Sequence, residues 1–175
     1  MDTSEFLRFL QTRSSVRDYT AVALEEEQSH FILQCAQTAP SAGNRQAWDV
    51  VIVASQELRE EIADLAYQQQ HLAQASAVFV VCANYIRSMS QYGERGILYA
   101  VQDATIATTF MMLAAHALGL HTCWTGAFDE EGVKTVLALP QHIRPIALLA
   151  VGRGHLPRFR TERMPIADHV HYETW

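Results

Sequence analysis

The chain has 175 residues, 49% of them apolar and 18% charged, with a formal net charge of -6. That length supplies one full hydrophobic core and not two comfortable ones, and the balance of apolar and charged residues excludes a disordered chain. An acidic chain gives no ground for a nucleic-acid surface, although all of the 13 basic residues except Lys134 are arginine, whose planar fork suits phosphate.

Residues 1–5 carry neither the basic nor the apolar run of a secretion signal. The longest uncharged apolar run, 104–115, is shorter than the roughly 20 residues a bilayer requires and reads as a buried helix rather than a membrane span. Cys35, Cys82 and Cys123 lie far apart, odd in number and without C-x-x-C spacing. A reducing cytoplasm is the expected setting. No repeat or low-complexity linker divides the chain, so one domain over 1–175 is expected.

In chain order, Phe6, Leu7, Phe9 and Leu10 take helical spacing behind Thr3 and Ser4 as caps. Glu25, Glu26 and Glu27 put negative charge at the start of a helix whose face carries Phe31, Ile32, Cys35 and Ala39, and Pro40 stops it. The run 48–54 is a buried strand. Ser55 caps a helix turning Leu58, Ile62, Leu65 and Ala66 inward. A second buried strand spans 77–83, and 84–96 reads as a polar loop long enough to be a lid. A long Ala- and Thr-rich helix over 97–118 ends with Gly119 at C′. Residues 122–125 form a third strand, Asp129 caps a short helix reaching Leu139, and 145–151 form a fourth. From Gly152 onward the chain has no periodicity, only scattered aromatics. Helices alternating with short strands indicate α+β or α/β.

Arg13 and Arg17 flank Ser14 and Ser15. Guanidinium and hydroxyl donors at that spacing converge on a phosphate, and the same pattern serves equally as a solvated helix end. In Ser41-Ala42-Gly43-Asn44-Arg45-Gln46-Ala47-Trp48, Gly43 permits positive φ, and the Asn44 and Gln46 amides both donate and accept. That suits the pyrimidine edge of a flavin, or an ordinary helix-to-strand loop. Trp48 reads as core. Thr125, Gly126 and Ala127 bring small residues to the end of a strand, where backbone amides can lie against a flat ring. Cys123 reads as a small buried thiol and His121 as structural.

Gly152-Arg153-Gly154 lacks the following helix that a dinucleotide fold requires. Arg153 and Arg163 read as further phosphate donors or as parts of a solvated tail. His169 and His171 have no third ligand, so no metal site is expected.

Taken together, these segments resemble the nitroreductase family of flavin oxidoreductases over nearly the whole chain. Arg13, Ser14, Ser15 and Arg17 follow Arg-Arg-Ser-x-Arg, with Ser14 replacing a basic residue. Pro40, Ser41, Ala42, Asn44, Gln46, Ala47 and Trp48 follow Pro-Ser-Ser-x-Asn-x-Gln-Pro-Trp, departing at Ala42 and Ala47. Leu118-Gly119-Leu120 stands where the family has Gly-Leu-Gly, and Arg163-Met164-Pro165-Ile166 approximates Arg-x-Pro-Leu.

The resemblance implies an α+β fold, an α/β/α sandwich with a mixed sheet flanked by helices. It implies an obligate homodimer with FMN at the interface, Pro40, Ser41 and Asn44 reaching the partner's FMN, and the segment 152–175 crossing onto the partner. It implies an enzyme in which NADH or NADPH delivers hydride to flavin N5 and leaves before a nitroaromatic, quinone or enone enters. The expected FMN-binding set is Arg13, Ser14, Ser15, Arg17, Pro40, Ser41, Asn44, Gln46, Thr125, Gly126, Ala127, Arg153 and Arg163, with no catalytic side chain. The alternatives are a flavin-binding or redox-sensing module without turnover, or a specialised branch of the same superfamily.

Overall fold

Two runs of consecutive apolar residues set the centre of the molecule, because a strand buried on both faces needs no alternation. In the computed structural model, which describes residues 2–159 and 161–175, these are β2 (Ala77–Asn84), buried at every residue, and β4 (Ile143–Gly152). They pair antiparallel in register from Ala77 opposite Val151 to Asn84 opposite Ile143. The outer strands are β1 (Trp48–Val53), antiparallel to β2, and β3 (His121–Thr125), antiparallel to β4, giving the order β1-β2-β4-β3.

Pro145 sits in a strand with neighbours on both sides. It is tolerated because the register slips between Val81 and Cys82 at that point and β3 reaches only as far as Leu148, so Pro145 owes no ladder hydrogen bond to β3.

Period-two alternation sorts the β2 side chains. Val78, Val80 and Cys82 face one core with Ile62, Ala63, Leu72 and Val133, carried by α3 (Gln56–Leu65), α4 (His71–Gln74) and α7 (Glu130–Val136). Phe79, Val81 and Ala83 face the other, against α2 (Glu26–Gln37) and α6 (Arg95–Ala117). Helices on both faces of one sheet make the α/β/α sandwich of an α+β fold, as expected.

Within one chain all four strands pair antiparallel; parallel pairing among the described residues is confined to an isolated bridge between Ser15 and Thr122. That bridge matters. The segment around Ser15 runs beside β3, with Val16 N–H donating to Thr122 C=O at 3.0 Å. Farther on, Tyr19 bridges Gly154, and Thr20 N–H donates to Arg153 C=O at 2.8 Å. The N-terminal arm therefore bridges the β3 edge at Thr122 and the residues after β4, while β1 has no strand on its outer side among the described residues.

The Ala-rich pattern of α6 has a direct use. Ala100, Ala104, Ala107, Ala114 and Ala115 are buried, and Thr108 folds its hydroxyl back onto Ala104 C=O at 2.7 Å, so α6 lies close to α2 and to the sheet. Among the described residues α6 is the one helix long and apolar enough to cross a membrane; here its apolar residues pack against strands and α2.

Two expectations are corrected. The polar stretch 84–96 is not a loop: it forms α5 (Tyr85–Tyr92) and the start of α6. Asn84 caps α5, accepting from Arg87 N–H at 3.3 Å. The glycines that suggested mobility mark a corner instead. Gly93 turns it at φ +56°, and a Cβ on Gly96 would lie 2.6 Å from the Met89 backbone, so the two helices touch there.

At the N-terminus the cap of α1 (Thr3–Thr12) is Asp2, not Thr3 or Ser4. Its carboxylate accepts from Glu5 N–H while the Glu5 side chain reaches back, forming a capping box.

Candidate functional site

The chain leaves α1 at Arg13 and enters the arm that covers β3. That crossing brings Arg13, Ser14, Ser15 and Arg17 into one cleft of about 570 Å³, walled by Leu10, Pro157, Phe159, Thr161 and Arg163. Two segments about 150 residues apart in sequence thus supply three guanidinium groups and three hydroxyls to one space.

The electrostatics are unfavourable for an empty cleft. Burial, and then the neighbouring positive charge of Arg163, disfavours the protonated form of Arg13. Arg13 Nη1 is buried with no hydrogen-bond partner among the described residues. An orphaned charged donor costs about 1–3 kcal/mol or more, and a bound anion would remove that cost.

Arg17 links the cleft to the end of β3. Its charge is felt by His71 and by Cys123. The Cys123 thiol is buried, and burial pushes it above its ordinary range, so it is inert packing as expected.

At Thr125 the hydroxyl points inward, 3.0 Å from His71 Nε2. Gly126 and Ala127 are exposed, and a Cβ on Gly126 would meet only the Trp124 ring at 3.6 Å. The fold alone does not require glycine there. The open face it leaves suits a flat ring.

Gln69 and His71 belong to this end of the site, and sequence reasoning passed over them. Gln69 Nε2 donates to Ala127 C=O at 3.0 Å, so both residues fix the 125–127 turn from behind. They are presented by a strained bend: Tyr67 and Gln68 have φ of 58° and 63°, a conformation costing a non-glycine residue about 1–2 kcal/mol. Strain of this kind collects at functional sites. The available signal was the run Gln68-Gln69-Gln70-His71, polar residues leading into the short helix that precedes the buried strand β2.

The other expected residues lie elsewhere in the same chain. Pro40 and Ser41 line a separate groove of about 440 Å³ with Tyr99, Gln102 and Asp103 of α6. Asn44 is exposed, and Gln46 lines a third groove, about 500 Å³, between α2 and the outer edge of β1. The loop is well built for all its exposure. Gln46 N–H donates to Ser41 Oγ at 2.9 Å, and Gln46 Nε2 donates to Asn44 Oδ1 at 3.3 Å. Gly43 has φ +53°, and a Cβ there would strike Tyr92 Oη at 2.3 Å, so both its conformation and its emptiness are used.

Arg153 is exposed at the end of β4 and is not part of the wall around Arg13. The glycines beside it make room for the N-terminal arm. A Cβ on Gly154 would meet Asp18 C=O at 2.2 Å, and His121 Nδ1 accepts from Gly154 N–H at 3.3 Å. Of the arginines clustered near the C-terminus, Arg160 lies outside the described residues.

Every described residue from His155 onward is exposed. Phe159 is 87% exposed, Ile166 78%, Tyr172 85% and Trp175 100%, while on α1 Phe6 and Leu7 are at least half exposed. Exposed apolar side chains gathered on this scale mark an interaction surface rather than ordinary solvated surface.

The family model described as Nitroreductase family matches residues 10–153. The chain is 30% identical over 177 residues to an Archaeoglobus fulgidus protein provisionally named NADH dehydrogenase/NAD(P)H nitroreductase, a match covering 98% of this chain and 99% of that one. It is 28% identical to an FMN reductase (NAD(P)H) of Bacillus subtilis, over 98% of this chain and 75% of the relative. Among solved structures, B. megaterium NfrA2 superposes with a TM-score of 0.91 at 29% identity, over 100% of this chain and 76% of that one.

Proposed function

Since this chain belongs to the nitroreductase family, we propose that it is an FMN-dependent oxidoreductase that takes electrons from NADH or NADPH and reduces small flat acceptors such as nitroaromatics, quinones or enones. The observation that carries this reading is the buried, unpartnered Arg13 guanidinium nitrogen in a cleft with Ser14, Ser15, Arg17 and Arg163. That donor set fits the FMN phosphate. Arg153, outside the cleft wall, is kept as a contact at its margin.

When bound, FMN supplies the redox chemistry, accepting a hydride at N5 from the reduced nicotinamide and passing reducing equivalents to the second substrate. The protein's part is positioning and charge. Arg13, Arg163 and the two serines hold the phosphate, and Arg17 places positive charge toward the ring. Gly126 and Ala127 offer backbone to the ring edge, and Thr125, with its hydroxyl held by His71, fixes where that backbone lies. No side chain is assigned as proton donor.

Pro40, Ser41, Asn44 and Gln46 do not converge with Arg13 in one chain, and the described tail residues from His155 onward stay exposed even where they wall the cleft. Both facts support a homodimer in which each 40–46 loop serves the partner's flavin and each tail from residue 152 crosses over. Three free cysteines fit a cytoplasmic setting.

The purified protein should take up FMN saturably, and anaerobic NADH or NADPH should bleach it. Double-reciprocal plots at several acceptor concentrations should be parallel, the sign that the nicotinamide leaves before the acceptor binds. Intersecting lines would require a separate nicotinamide site. Bound flavin that neither nucleotide bleaches would favour a binding module without turnover.

A further inference from the structure

The carboxylate of Asp103, on the wall of the groove beside Pro40 and Ser41, is buried. It sits on α6, is only 2% exposed, and no basic side chain lies within ion-pairing distance of it among the described residues. Its two oxygens accept from two backbone amides, Ala42 N–H at 2.9 Å and Ala47 N–H at 3.2 Å. Those amides stand at the two ends of the turn that carries Gly43, Asn44 and Gln46, all at positive φ.

A turn with three consecutive or near-consecutive left-handed residues is costly, and two of these are not glycine. It persists only where the surroundings fix it. Ser41 Oγ closes the turn from within. Asp103 ties both ends to α6, which packs on the sheet, and it does so with a carboxylate, the one common side chain offering two equivalent acceptors to two facing donors.

We propose that Asp103 is a positioning residue for flavin binding: by holding the Ala42 and Ala47 amides on one carboxylate it sets the geometry in which Pro40, Ser41, Asn44 and Gln46 meet the cofactor. This rests on the reading that the 40–46 loop contacts FMN. Asp103 itself touches no substrate. It acts through the loop, and because α6 also packs on β2 and β4, the loop inherits the rigidity of the sheet.

The test compares wild type with Asp103→Asn, which keeps the shape but turns one acceptor into a donor facing an N–H. Three quantities are read on the full chain: amide hydrogen exchange across 42–47 without FMN, the Kd for FMN, and the visible circular dichroism of bound flavin. The 42–47 amides should exchange at least about 10-fold faster and the Kd should rise about 10-fold, the scale of one hydrogen bond to a charged acceptor. The flavin dichroism should change, while β2 and β4 amides keep their protection.

Ala42→Pro removes one of the two donors from the other side, at a helix-start position that accepts proline, and should shift the same readings in the same direction but less. It decides the matter if Asp103→Asn does not fold. Unchanged loop protection, or a loosened loop with an FMN Kd within twofold of wild type, overturns the role of Asp103. Failure of the wild type to bind FMN removes the functional reading and this role together; wild-type binding with both variants unmoved removes this role alone.

Discussion

The cleft around Arg13 and the loop at 40–46 contrast in how far one chain can complete them. The cleft is closed by segments far apart in sequence, and its half-buried Arg13 has a buried Nη1 with no hydrogen-bond partner among the described residues. The loop is equally well fixed, through Asp103 and Ser41, yet it presents Asn44 and Gln46 to open space. A fixed polar loop whose Asn44 and Gln46 stay exposed is what the proposed dimer would use. Charge for an anion is gathered inside one chain, whereas the exposed Asn44 and Gln46 amides are the part that the proposed dimer would have to complete.

Breaking the outward half should have the larger effect. Replacing Tyr172 and Trp175 together with serine removes apolar area from the tail without touching the walls of the Arg13 cleft. At about 1.5–3 kcal/mol for each buried large side chain, the dimer dissociation constant should rise by at least about 100-fold, measured by sedimentation equilibrium. A stable wild-type monomer with bound FMN would dissolve the contrast, because the loop would then have no partner to serve.

Breaking the inward half is next in size. Arg13→Ala should weaken FMN binding by about 1.5–3 kcal/mol, the worth of a charge-assisted hydrogen bond, in a calorimetric titration with the dimer intact. Unchanged affinity would move the phosphate elsewhere. Gly43→Ala tests the loop alone. It forces a Cβ against Tyr92 Oη in a left-handed conformation, and should cost about 1–2 kcal/mol of stability together with a several-fold loss of FMN affinity.

The smallest effect concerns pH. Burial first, and then the nearby charge of Arg17, holds His71 below the ordinary histidine value of 6.5. The unfolded chain therefore binds a proton that the folded chain refuses. Stability is full above that value and falls as pH drops below it. Tm should be lower at about pH 5 than at pH 7, and His71→Gln should lose part of that fall. His121 is depressed in the same direction, so the share of His71 is the difference between variant and wild type.

The contrast also accounts for what the sequence disclosed. Strands such as 77–83 were legible because unbroken apolar runs bounded by turn residues have few alternative readings. The helix stops at Pro40 and Gly119 were legible because those residues act locally. The stretch 84–96 was misread for the converse reason. Its Ser, Tyr and Gly content favours a turn in isolation, and only the packing of α5 on α6 at Gly96 makes it helical.

The arginines and hydroxyls that line the cleft were visible as a pattern of residue types. Gln69, His71 and Asp103 were not, because a polar residue near an apolar run looks the same whether it is solvated or whether it pins a turn far along the chain. Which residues face the same cleft depends on the arm crossing β3, a long-range pairing that no local periodicity records.

That arm has a further consequence for assembly. By bridging β3 at Ser15–Thr122 and the residues after β4 at Tyr19–Gly154, it leaves β1 as the sheet edge with no strand or bridge beside it among the described residues. A sheet open at both edges can add copies without limit and grow into filaments; one open at a single edge is monovalent, and its edge-to-edge growth stops after one union. Variants that loosen the crossing that gathers the arginines should therefore show fibrillar aggregation before they show loss of secondary structure.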